Sequence, residues 1–215
     1  MSAIAIIGGT GYAGAHIASE AAQRGHKVTS LSRNAPSDPP TGIEIRTGSI
    51  EDEAVVGRLF ADADVVVIAI NGAVGNEPYL VRFVPRLLSL AAAHDTRLGV
   101  VGGAGSLHVA QGGPLVIDLP QFPDEYKAEA SSQVRVLEAL RTAETAADWF
   151  YLSPAAFFGA HSPGERTGIY RIGDDDVLVT DADGNSAISG ADFAIAFVDE
   201  IEKPEHHRAR FTVGY

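Results

Sequence analysis

The first fourteen residues constrain this chain more than any other stretch. Ala3-Ile4-Ala5-Ile6-Ile7 is a short apolar run, and it stops abruptly in Gly8-Gly9-Thr10-Gly11-Tyr12-Ala13-Gly14. The apolar pattern then resumes at Ala15, Ile17 and Ala18. This is the layout of a buried parallel strand that turns into a helix across a phosphate-binding loop. Each glycine has a physical task there. One makes the tight turn, one lets backbone approach a pyrophosphate, and one lets the helix pack closely on the strand. The start of the helix then offers free N–H groups and the positive end of its dipole. Both Gly9-x-Gly11-x-x-Gly14 and Gly8-x-x-Gly11-x-x-Gly14 fit. The residues expected to hold phosphate are Gly8, Thr10, Gly11, Tyr12, Ala13 and Gly14. The plainer alternative is a glycine-rich turn with no ligand.

The rest of the chain repeats that alternation. Strand-like runs at Lys27–Leu31, Ile43–Arg46, Asp64–Ile70, Arg97–Val101 and Trp149–Leu152 alternate with helix-like segments. Asp64–Ile70 is nearly all apolar, as expected of a strand covered on both faces. The first helix, Tyr12–Arg24, should stop at Gly25. Ser49-Ile50-Glu51-Asp52 resembles a capping box that opens a helix through Phe60. Glu77–His94 has helical apolar spacing and is expected to kink at Pro85. Asp124–Ala146 reads as a long helix. Beyond it, residues 153–188 hold several glycines and the short strand candidates Ile169–Ile172 and Val177–Thr180. Ser189 begins a second capping box, with Ile188 and Phe193 placed as its staple, before a helix at Gly190–Glu202. Arg210–Val213 is a terminal strand. The pattern predicts an α/β fold of the Rossmann type, a doubly wound parallel sheet in one domain over residues 1–215. Residues 153–188 would contribute a small substrate lobe.

Composition narrows the function. The chain has 215 residues, a net charge of −12 and no cysteine. A domain of this size can bury about 70% of its unfolded surface. The negative charge repels a phosphate backbone, which sets nucleic acid aside. Without cysteine there is no disulfide, thiolate metal site or cysteine nucleophile. The histidines lack ligand spacing, so no metal is expected. No apolar run approaches ~18 residues, and the N-terminus reads as the first strand, so neither a membrane span nor a signal peptide is expected. The expected setting is cytoplasmic and the expected partner a small-molecule substrate. A homo-oligomer stays open.

The ligand should lie over the C-terminal edge of the sheet. A site that prefers NAD places a carboxylate at the end of the second strand. Here that place holds Ser32-Arg33-Asn34, and no acid follows until Asp38. Arg33 suits a 2′-phosphate, with Ser32 and Asn34 adding hydrogen bonds; the alternative is a solvated loop arginine. NADP(H) is thus the expected cofactor, with NAD(H) second. Asn71-Gly72 can lie against the cofactor ribose, or Asn71 can cap a turn. Gly102-Gly103-Ala104-Gly105-Ser106-Leu107-His108 can floor a nicotinamide site through Gly103 and Ala104, with Ser106 and His108 as its polar groups. Phe157 and Phe158 fit an aromatic wall or the core equally well. Asp174-Asp175-Asp176 reads as a solvated turn, and Glu165-Arg166 as a surface pair or a gate.

The chain resembles the atypical short-chain dehydrogenases/reductases of the NAD(P)H-binding family. Flavin and biliverdin-IXβ reductases and NmrA-like redox sensors belong to that group. The match is carried by Gly8–Gly14, Gly102–Ser106 and Leu152-Ser153-Pro154-Ala155. The runs Gly164–Arg171 and Arg210–Tyr215 are similar to small bacterial proteins described as epimerase/dehydratase-like. The resemblance spans essentially the whole chain. It implies that Pro154 and Ala155 border the nicotinamide carboxamide. The wider superfamily uses Tyr-x-x-x-Lys, whereas here Tyr126 is followed four residues later by Ala130. Tyr126 is then a proton donor without its usual activator, or a packing tyrosine, and Ser106 is the other candidate catalytic group. The expected activity is NADP(H)-dependent hydride transfer to a small planar acceptor such as a flavin or quinone. The alternative is a redox sensor that binds NADP(H) without turnover.

Overall fold

A computed structural model describes residues 1–215. The elements in chain order are β1 (Ala3–Ile7), α1 (Tyr12–Gln23), β2 (Lys27–Ser32), β3 (Ile43–Thr47), α2 (Glu53–Asp62) and β4 (Val65–Ile68). A small hairpin follows, β5 (Ala73–Val74) and β6 (Glu77–Pro78), then a 3-10 turn at Leu80–Phe83 and α3 (Val84–His94). The chain continues through β7 (Arg97–Val101), α4 (Asp124–Thr142), β8 (Trp149–Ser153), β9 (Arg171–Gly173), α5 (Gly190–Glu202) and β10 (Ala209–Gly214).

Eight strands form one sheet in the order β3-β2-β1-β4-β7-β8-β10-β9. All pairings are parallel except that of β9 with β10. The chain builds outward from β1 to β3, then returns to build from β4 in the other direction. The switch point therefore lies between β1 and β4, where ligands bind in such sheets. The central strands are buried on both faces, which explains their almost unbroken apolar sequences. One face packs against α2, α3 and α4 through Val56, Phe60, Leu87, Val136 and Leu140. The other packs against α1 and α5 through Ile17, Ala21, Phe193, Phe197 and Ile201. Ile188 and Phe193 are both buried in that second layer, and Ser189 Oγ caps α5 by accepting from the Asp192 N–H at 3.0 Å.

Local chemistry moves several boundaries. α2 is capped by Asp52, whose Oδ1 accepts from Ala54 and Val55 N–H at 3.0 Å each; Ser49 holds only the preceding turn. Pro85 lies in the first turn of α3 and starts that helix instead of kinking a longer one. Its missing N–H is not needed there. Residues 77–83 are kept out of the α-helix because the Tyr79 and Leu80 amides bond to the Gly72 carbonyl at 2.7 and 2.9 Å. Val177–Thr180 is not a strand; Val177 makes one isolated bridge, to His108.

Candidate functional site

The chain leaves β1 at Ile7 and turns at Gly8, whose φ is +94°. A Cβ there would lie 2.4 Å from the Ala69 carbonyl oxygen, so the loop presses against the end of β4. A Cβ on Gly14 would lie 2.2 Å from the Gly8 carbonyl oxygen, so the first turn of α1 closes directly onto the loop. No side chain caps α1, and its first turn holds no acidic residue. The amides of Tyr12, Ala13 and Gly14 have no acceptor within the protein. Free amides at a helix start, at the switch point and with no side chain in the way, fit a phosphate group. Thr10 is exposed beside them. The Tyr12 side chain is committed elsewhere. Its hydroxyl accepts from the Gly190 N–H at 3.0 Å and donates to the Pro163 carbonyl at 3.2 Å. Burial raises its pKa against the opposing effect of the Gly190 bond. Only the backbone of Tyr12 is free for a ligand.

At the end of β2 the three polar residues divide. Ser32 is buried, and its hydroxyl donates to the Asn34 carbonyl at 2.7 Å. Its single proton is therefore taken, so it offers a ligand no donor. Arg33 and Asn34 are exposed, and Arg33 has no ion-pair partner.

The loops after β4 and β7 are fastened to α4 and β8 by groups the sequence reading did not single out. Glu129 accepts from the Gly72 and Ala73 amides, one through each oxygen, at 2.8 and 2.9 Å. Ser132 donates to the Gly72 carbonyl, while Asn71 is exposed at the loop tip. The Tyr151 hydroxyl accepts from the Gly103 N–H at 3.2 Å and donates toward Gln133 at 3.3 Å. Burial drives the Tyr151 pKa up, so this phenol is a fixed structural hydroxyl. Ala104 is half-buried in the same loop. A Cβ on Gly105 would lie 2.9 Å from the Ala130 Cβ. The half-buried Ala130 methyl, four residues after Tyr126, thus lies against the loop at Gly105.

The candidate proton donors lie in different settings. Ser106 is half-buried, and its Oγ accepts from Arg210 Nη1 at 2.9 Å. Arg210 is buried on β10 and was not among the expected site residues. Its other partner is Asp175, at 3.0 Å, which also holds Arg141. Asp175 is thus an anchor between two arginines, not part of a merely solvated turn. Tyr126 is 44% exposed, stacks on His161 with ring centroids 5.8 Å apart, and makes no hydroxyl hydrogen bond. His108 is engaged by the Gly113 carbonyl at 2.6 Å.

Phe157 and Phe158 also separate. Phe158 packs between Tyr12 and Phe193 at centroid distances of 5.5 and 4.6 Å, whereas Phe157 is 60% exposed. Pro154 and Ala155 are buried at the end of β8, with the Ala155 methyl in the α1–α5 layer. Arg166 pairs with Glu20 of α1 at 2.6 Å, not with its neighbour Glu165. Asp192 gathers the chain around the 164–168 loop. It is fully buried and accepts from the Thr167 amide and hydroxyl, the Gly168 amide and the Tyr215 hydroxyl, the last at 2.6 Å.

Comparison with known proteins places this geometry. A family model described as NAD(P)H-binding matches residues 8–204. The Bacillus subtilis protein YwnB, itself uncharacterized, is 43% identical over 212 residues, which is 98% of this chain and 97% of that one. A Burkholderia pseudomallei structure provisionally named an exported protein is 39% identical, covers 100% of both chains and superposes with a TM-score of 0.81. A Streptococcus pneumoniae structure provisionally named an NADH-flavin reductase is 31% identical, with 100% of this chain and 99% of that one covered and a TM-score of 0.80.

Proposed function

The chain belongs to the NAD(P)H-binding family, and we propose that it is an oxidoreductase that uses NADP(H) to deliver hydride to a small planar acceptor such as a flavin or a quinone. The observation that carries this reading is the uncapped start of α1 at the switch point, with an unpaired arginine, not a carboxylate, at the end of the neighbouring β2. In it, the Gly8–Gly14 loop and the amides of Tyr12, Ala13 and Gly14 hold the pyrophosphate. Arg33 meets the 2′-phosphate, with Asn34 beside it; NAD(H) binds more weakly because that charge has no partner in it. Asn71, Gly72, Gly103 and Ala104 line the ribose and nicotinamide side, and Pro154 and Ala155 border it through their backbone.

Bound nicotinamide supplies hydride. The chain supplies proximity and orientation, which suffice for acceptors that already take electrons readily. This agrees with a site in which Tyr126 stands without lysine. The acceptor lies between the 102–108 loop and the 153–188 segment, the proposed substrate lobe. The likeness to the Streptococcus pneumoniae protein makes flavins the first acceptors to try.

The test is consumption of NADPH by the purified protein with a panel of flavins and quinones. Acceptor-dependent consumption well above the protein-free rate supports the proposal. Tight NADPH binding with no consumption across the panel overturns it in favour of a sensor that signals through its cofactor state.

A further inference from the structure

The glycine-rich loop after β7 is held from beneath by two side chains that are partners across the sheet. Arg210 of β10 pairs in register with Tyr151 of β8. Paired residues in a ladder project to the same face. Tyr151 secures one end of the loop through Gly103, and Arg210 secures the other through Ser106. Arg210 Nη1 reaches both the Ser106 hydroxyl, at 2.9 Å, and the Ser106 carbonyl, at 3.3 Å. The Arg210 side chain is only 2% exposed. Asp175 orients its fork through Nε and takes Arg141 on both carboxylate oxygens, at 2.7 and 2.8 Å. Two guanidinium groups thus share one carboxylate. The Arg210 guanidinium is a buried cation held against this loop by a carboxylate on its solvent side.

A guanidinium only donates hydrogen bonds, whereas a serine hydroxyl has one proton and accepts through its lone pairs. Ser106 must therefore accept from Arg210. Its own proton has no acceptor within the protein and is free for a ligand. We infer that Arg210 is a positioning residue, which fixes Ser106 as a hydrogen-bond donor to the acceptor atom that becomes negative when hydride arrives. The inference rests on the oxidoreductase reading above. An acceptor that takes hydride gains two electrons and one proton. It thus holds one added negative charge on a carbonyl oxygen or ring nitrogen until solvent supplies the second proton, while the nicotinamide is left oxidised. A donor held in advance at that atom, and polarised by a buried cation, stabilises the charge without reorganising. Substrates of this site are then acceptors whose reduced form is an anion stabilised at one edge, as in flavins and quinones.

Four variants test this: Ser106→Ala, Ser106→Thr, Arg210→Lys and the double Ser106→Ala/Arg210→Lys. Each is assayed for kcat with a working acceptor, and separately for NADPH affinity by direct fluorescence titration. Ser106→Ala and Arg210→Lys are each expected to lower kcat by about tenfold to a hundredfold, toward the effect of removing one aimed donor. NADPH affinity should be unchanged, because the phosphates are held elsewhere. Ser106→Thr should retain most turnover, since it keeps the hydroxyl. The double variant should lose no more than the worse single one, because both act through the same proton. Multiplying losses in the double variant, normal turnover in Arg210→Lys, or a kcat loss matched by weaker NADPH binding would overturn the inference alone. Failure of NADPH to be consumed with any acceptor overturns the oxidoreductase reading and this inference with it. If Arg210→Lys does not fold, Asp175→Asn replaces it: Asp175 is 57% exposed at its side chain and disturbs the same guanidinium from its solvent side. A kcat loss at constant NADPH affinity is again expected.

Discussion

On the proposed reading, cofactor choice turns on Arg33. It is exposed, unpaired, and placed where an NAD-preferring site has an acid. Ser32 beside it cannot assist as a donor, because its proton is already given to the Asn34 carbonyl. On that reading the discrimination falls on a single guanidinium. A charge-assisted bond of this kind contributes roughly 1.5–3 kcal/mol, or on the order of tenfold to a hundredfold in affinity. Arg33→Ala should weaken NADPH binding by that factor and leave NADH nearly unchanged, as read by calorimetric titration of both. Equal losses for the two cofactors would show that Arg33 acts on something they share. Tyr126 is the opposite case. Its ring is exposed and stacked on His161, and its hydroxyl has no partner to hold it over a reacting atom. Tyr126→Phe should lower turnover by less than the ~10²-fold expected for loss of a general acid. A thousandfold loss with chemistry rate-limiting would make Tyr126 the acid after all.

Among the elements, α4 and α5 each do more than pack. α4 fastens the loop after β4 through Glu129 and Ser132, and it meets the loop after β7 at Ala130. Ala130→Lys places a long side chain beside Gly105, where overpacking would cost about 1–3 kcal/mol. It should lower the melting temperature and confer no alcohol dehydrogenase activity; a variant as stable as the parent would show that the loop yields there. At the start of α5, Asp192 ties the 164–168 loop to the C-terminal Tyr215. Burial raises its pKa, but the bonds from Tyr215, Thr167 and Gly168 outweigh that and hold the carboxyl below its ordinary value. A depressed folded-state pKa contributes stability that is present above the unfolded value near ~3.9 and is lost as pH falls through the folded value. Glu20 and Glu200 are shifted in the same direction. Thermal stability should therefore fall steeply below about pH 5. Asp192→Asn should lose stability at neutral pH and show a shallower acid limb, with the 164–168 loop more open to proteolysis. An acid limb identical to that of the parent would deny Asp192 this role.

At the scale of the whole molecule, what the sequence discloses is what neighbours in the chain decide. β1, β7 and α5 run over the residues their apolar patterns predict, because burial on both faces or along one stripe is written locally. The Gly8–Gly14 loop is legible for the same reason: turn, close approach and helix start lie within seven residues. Residues 77–83 were not legible, since their helical spacing is overridden by amides tied back to Gly72. Glu129 and Arg210 were hidden because their partners are 57 and 104 residues away, and nothing local marks them. Asp175 looked like part of a solvated acidic turn for the same reason. The fold brings these distant groups to the loops after β4 and β7.

The proposed reaction is NADP(H) turnover at the C-terminal edge of the sheet. It is tested most directly by the ratio of kcat/KM for NADPH to that for NADH, measured from initial rates with one flavin or quinone acceptor. Turnover with both is expected, at a ratio of about tenfold or more in favour of NADPH. A ratio of one or below, or no consumption of either cofactor by a protein that binds them, would contradict it.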